Sequence, residues 1–81
     1  MTEQQYQSDL IKEYESKGYY VLKLIKTNKN GIPDLLCLKQ GEVPIFVEVK
    51  KDGGKLSPLQ EFRIKELNEL GFIAFVKYPF L

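Results

Sequence analysis

The chain has 81 residues, 12 basic against 11 acidic side chains for a net charge of +1, one cysteine and no histidine. That length makes a single small domain over residues 1–81, with a thin stability margin that packing, a hard metal or a partner subunit must supplement. The missing histidine excludes serine–histidine and cysteine–histidine catalysis and His-ligated metal centres, and the lone Cys37 excludes an intrachain disulfide or a cysteine-built zinc site. Any catalysis must run on carboxylates, lysines, tyrosines or a metal held by oxygen.

Residues 2–17 are expected to form a helix, with Tyr6, Leu10, Ile11 and Tyr14 on one face and Gly18 as its stop. Residues 19–26, YYVLKLIK, are rich in aromatic and β-branched types and read as a strand; TNKNG, residues 27–31, reads as a loop. Residues 33–38 and 43–50 read as two strands of a hairpin turning through KQGE at Gly41. KDGGK, residues 51–55, is a second loop. Ser57 as N-cap, Pro58 at the first helical position and Gln60 as the capping-box residue open a second helix, which carries Leu59, Phe62, Leu67 and Leu70 and ends at Gly71. FIAFVK, residues 72–77, is the last strand. The order α-β-β-β-α-β implies an α/β domain, a mixed sheet flanked by helices. No apolar run is long enough to span a membrane and no signal peptide is visible.

Within the hairpin, GIPDLLCLKQGEVPIFVEVKK puts three charges where a sheet core should be. A hairpin centred on Gly41 sets Asp34 opposite Glu48, and alternation then places Asp34, Glu48 and Lys50 together at one end of a face whose body is Leu36 and Phe46. A slip at Pro44 would separate the acids. Opposed carboxylates stand about 5 Å apart at Cβ and repel unless a cation lies between them. Two carboxylates with water and a substrate phosphate suit Mg²⁺, and a lysine on the same face suits orientation of a water or stabilisation of phosphate charge. The competing reading is solvated charge at a sheet edge, with Lys50 bridging the acids; chemistry alone leaves both open.

The motifs G-I-P-D and F-V-E-V-K resemble the P-D…(D/E)-x-K signature of restriction-endonuclease-like nucleases. An early helix with a Glu, G-x-P-D-L, E-V-K, G-K-L-S-P-x-Q and L-x-x-L-G-F in that order resemble, more closely, the virus-type replication–repair nuclease (VRR-NUC) domain over nearly the whole chain. The resemblance implies a restriction-endonuclease-like core. It implies that Asp34 and Glu48 hold Mg²⁺ or Mn²⁺, with the Val49 backbone carbonyl as a further ligand, and that Lys50 is the catalytic lysine. Glu3 matches the helix Glu that binds or orients metal, against a reading as a solvated N-terminal acid; Gln60 matches the helix Gln near the site, a role compatible with capping. Lys51 and Lys55 are candidate phosphate contacts, against ordinary solvated lysines.

Lys17, Lys23, Lys26 and Lys29 come with no acid between residues 17 and 30, a local patch suited to a nucleic-acid backbone. The expectation is a metal-dependent endonuclease on branched DNA such as junctions or flaps, acting in replication, repair or recombination. A homodimer is expected, because symmetric cutting of a junction needs two sites; Tyr19, Tyr20 and the apolar end Tyr78, Pro79, Phe80 and Leu81 are candidate contact surfaces. The expected setting is intracellular, the host cytoplasm if the source is viral. The alternatives are a non-catalytic nucleic-acid-binding or subunit module of the same fold, and a small interaction protein.

Overall fold

Thr2 starts the first element. In the computed structural model, which describes residues 1–79, its side chain accepts from the Gln5 N–H while the Gln5 side chain takes the Thr2 N–H, a reciprocal cap that satisfies two otherwise orphaned donors. The helix α1 (Glu3–Ser16) follows and ends before Gly18, whose φ of +90° suits glycine. Strands β1 (Tyr20–Lys23), β2 (Leu35–Leu38) and β3 (Ile45–Val49), helix α2 (Pro58–Glu69) and strand β4 (Ile73–Lys77) complete the order α-β-β-β-α-β. The four strands form one mixed sheet in the order β1-β2-β3-β4, antiparallel twice and then parallel. Parallel neighbours need a crossover connection, and α2 supplies it between β3 and β4.

Side-chain alternation divides the sheet into two unequal faces. Leu35, Cys37, Val47 and Val49 are fully buried on one face, against Tyr6 and Leu10 of α1, with Ile11, Tyr14 and Tyr19 packed at the edge. Leu36, Phe46 and Glu48 lie on the other face, where α2 sits; Phe46 meets Phe72 edge-on with centroids 6.0 Å apart. The helices therefore cover opposite faces, an α/β sandwich.

The second face is only half covered. Of the apolar residues along α2, Leu67 is buried while Leu59, Phe62 and Leu70 stay substantially exposed, because α2 packs chiefly on β4. On this face no helix among the described residues covers β1, and Tyr20 is 65% exposed there while its neighbour Tyr19 turns to the α1 side, edge-on to Tyr14. At the other end, the Tyr6 hydroxyl donates to the Tyr78 carbonyl at 2.8 Å, which ties the end of the chain to α1. Phe80 and Leu81 lie outside the described residues.

Strand β1 is shorter than the run YYVLKLIK suggests. Its last cross-strand bond is from the Leu24 N–H to the Asp34 carbonyl, 2.8 Å. Beyond it, Gly31 at φ +79° and the fixed φ of Pro33 turn the facing chain out of the ladder. Residues 24–33 then run as a loop held under α2, where Arg63 Nε donates to the Asn30 carbonyl at 2.9 Å. Among the described residues, no helix is long and apolar enough to cross a membrane.

Candidate active site

The hairpin register decides the site. Leu35 pairs with Val47, Leu36 with Phe46 and Cys37 with Ile45, so Pro44 introduces no slip, and the same register continued by one residue sets Asp34 beside Glu48. Asp34 lies just before β2, and its Oδ2 accepts the Val49 N–H at 2.8 Å. The carboxylate thus takes the place of the next main-chain rung and is pinned to β3.

Glu48 is the one charged side chain buried among the described residues, 3% exposed in the middle of an apolar strand. The donor that reaches it from α2 is a neutral amide at long range: Gln60 Nε2 donates to Glu48 Oε2 at 3.4 Å. Burial, first of all, then the hydrogen bond to Asp34 and the Asp34 charge, push the Glu48 carboxyl up to about 8; Lys50 opposes this and Glu3 adds to it. The acid holds its proton near neutral pH and shares it with the Asp34 carboxylate.

Gln60 caps α2 and also faces Glu48. Its Oε1 accepts the Ser57 N–H at 2.9 Å and its N–H donates to Ser57 Oγ at 3.1 Å, while Nε2 points to Glu48. The helix cap therefore aims the amide at the carboxylate. Lys50 is half-buried at the end of β3, on the Glu48 side. Glu3, far away in sequence, arrives beside it: Glu3 Oε1 accepts the Lys51 N–H at 3.2 Å, and a Cβ on Gly54 would lie 3.6 Å from Glu3 Oε1 and 3.5 Å from Lys50 Cβ. Gly54 leaves room for this approach.

The lysines separate into groups. Lys23 lines a cleft of about 340 Å³ together with Asp34. Lys26 and Lys29 line a neighbouring recess of about 220 Å³ with Thr27 and Asn30. Lys51 borders a third recess with Glu3, and Lys55 stands exposed in the loop before α2. Two features escape a sequence reading: the Asp34–Val49 bond, which needs the register, and Gln7, which shares a cleft with Asp34. Gln7 lies one helical turn from Glu3, and that i, i+4 spacing was the available signal.

The donor set fits a hard divalent cation. Asp34 and Glu48 supply two adjacent carboxylates, and a strand residue turns its N–H and C=O to the same flank, so the Val49 carbonyl faces the Asp34 side. Among the described residues no group of three or more Asp, Glu, Cys or His side chains is gathered for a metal. Mg²⁺ does not require one, since it keeps waters and takes substrate phosphate alongside one or two carboxylates.

Comparison with known proteins places the fold in a family. The family model of the VRR-NUC domain matches residues 20–78. A solved structure described as a VRR-NUC domain superposes with a TM-score of 0.81 at 31% sequence identity, over 94% of this chain and 84% of that one. No curated protein matches.

Proposed function

We propose that this chain, which belongs to the VRR-NUC domain family, a nuclease-type family, is a Mg²⁺- or Mn²⁺-dependent endonuclease that hydrolyses DNA phosphodiester bonds. The observation that carries the reading is Glu48, buried to 3% exposure beside Asp34 and pushed up to about 8, with Lys50 on the same strand end. Two neighbouring acids repel once both are ionised, and a divalent cation bound between them would remove that repulsion.

In this reading Asp34 and Glu48 hold the cation, with the Val49 carbonyl beside them. When bound, the ion supplies an activated water and neutralises charge on the phosphate. The Val49 N–H fixes the Asp34 carboxylate, and the Gln60 amide orients Glu48 from the capped end of α2. Lys50 does not ligate; its ammonium donates toward the phosphate oxygens as negative charge grows on them. Lys23, Lys26 and Lys29 hold the nucleic-acid backbone, with Lys51 and Lys55 as further phosphate contacts. We take the substrate to be branched DNA, because a core this small has no recognition helix or ribbon to lay in a groove and read a run of base pairs. Two copies related by a twofold axis would supply the paired sites that symmetric cutting of a junction requires.

A nicking assay on branched and linear DNAs, with Mg²⁺, Mn²⁺ or EDTA, tests the reading. Cutting is expected with either ion, none with EDTA, and none with Lys50→Ala or Glu48→Gln. Lys50→Ala should still bind Mg²⁺ by calorimetry. A chain that binds these DNAs but cuts none of them is a binding module, and an active Lys50→Ala removes the lysine from the mechanism.

A further inference from the structure

Gln7 occupies the second turn of α1, half-buried, and among the described residues its Oε1 is the one fully buried side-chain polar atom without a hydrogen-bond partner. Buried polar atoms are nearly always paired, and leaving one unpaired costs more than a typical hydrogen bond contributes. The side chain does not sit in the apolar core. It lines the cleft of about 340 Å³ whose other walls are Gln4, Lys23, Leu24, Ile25 and Asp34.

The chemistry of that cleft is mixed in an informative way. Asp34 at one side is half of the carboxylate pair, so a phosphate drawn to the candidate metal centre would sit at that edge. Lys23 adds a cation for a second phosphate. Leu24 and Ile25 form an apolar wall, and Ile25 is 85% exposed, which leaves it free to meet a flat apolar surface. Gln4 and Gln7 contribute two amides, groups that both donate and accept. Phosphate contact, apolar contact and amide hydrogen bonds are the three requirements of one nucleotide: its backbone, its base face and its base edge.

We propose that this cleft binds the nucleotide next to the scissile phosphate, and that Gln7 is a positioning residue whose amide hydrogen-bonds the base edge. The inference rests on the nuclease reading only for the placement of the scissile phosphate at Asp34. It explains why an amide is kept where a leucine would pack at no polar cost: its Oε1, closed to solvent in the free chain, gains a partner when the amide turns toward the arriving base.

The test separates binding from stability. Fluorescence anisotropy of a fluorescein-labelled single-stranded DNA oligonucleotide is measured with Mg²⁺ in a Lys50→Ala background, with and without Gln7→Leu, and both proteins are melted in parallel without DNA. Gln7→Leu is expected to weaken binding by about threefold to tenfold, the value of one hydrogen bond, and to leave the melting temperature unchanged or raised. Equal binding overturns the proposal, as does a Lys50→Ala protein that fails to bind the oligonucleotide. A lower melting temperature for Gln7→Leu overturns it too, because Gln7 would then hold a structural partner. Each of these outcomes leaves the nuclease reading to the nicking assay of the unmodified chain.

Discussion

Replacing Glu48 by Gln should make the metal-free protein more stable at alkaline pH, and the size follows from its surroundings. The Glu48 carboxyl, ordinarily near 4.5, is pushed up to about 8 by burial and by Asp34. Between those values the folded protein holds a proton that the unfolded chain has released. The wild type is therefore at full stability below about 4.5 and loses stability as pH rises to about 8, after which the loss is complete. Each pH unit in that window costs about 1.4 kcal/mol, and the total is on the order of 3 to 5 kcal/mol. Gln is neutral throughout, keeps a donor for Asp34 and keeps an acceptor for Gln60. For a domain of this size about 1 kcal/mol moves the melting temperature by about 4–8 °C, so the two proteins should diverge by more than about 10 °C. Circular-dichroism melts from pH 5 to 9 in EDTA measure the difference. Profiles that run parallel would refute the reasoning, because Glu48 would then be solvated or paired in the folded state. Added Mg²⁺ should stabilise the wild type at pH 8 by about 2.7 kcal/mol at one hundred times its dissociation constant, and should do far less for Glu48→Gln.

Asp34→Ala should destabilise the protein by about 1–3 kcal/mol, because it orphans the Val49 N–H, whereas Asp34→Asn keeps an acceptor there and can donate to Glu48; equal urea midpoints for the two variants would contradict this. Gly31→Ala should cost more than Gly41→Ala. Both glycines have φ near +80°, but a Cβ at Gly31 would sit 2.7 Å from Leu59 Cγ, while Gly41 has nothing within 4 Å. The left-handed conformation alone costs about 1–2 kcal/mol, so equal losses in chemical denaturation would exclude the Leu59 contact. If the half-uncovered face over β1 is where two copies meet, light scattering at high micromolar concentration should show a dimer that Tyr20→Lys weakens. A wild type that stays monomeric with and without branched DNA refutes that assembly.

The sequence by itself determined the elements and the chemistry available to them. Periodicity placed α1, the cap at Ser57, Pro58 and Gln60 placed the start of α2, and the absence of histidine left carboxylates, lysines, tyrosines or an oxygen-held metal to carry any catalysis. The hairpin was legible because a two-strand register depends on nearby residues: a turn at Gly41 and period-two alternation are enough to set Asp34 against Glu48.

What the tertiary structure decided was burial and everything that crosses between elements. A strand pattern does not reveal which face a helix will cover, so the 3% exposure of Glu48, and with it the rise of its carboxyl to about 8, depended on α2 landing over β3 and β4. The same packing left Phe62 half in solvent, although its residue type alone would have placed it inside. Glu3 meets Lys51 across 48 positions of sequence, and Gln7 shares a cleft with Asp34, because α1 lies across the sheet at one particular depth and angle. Such contacts are set by the shape of two packed surfaces. Local sequence supplies the residues on each surface, but the match between the surfaces is made only when both are folded.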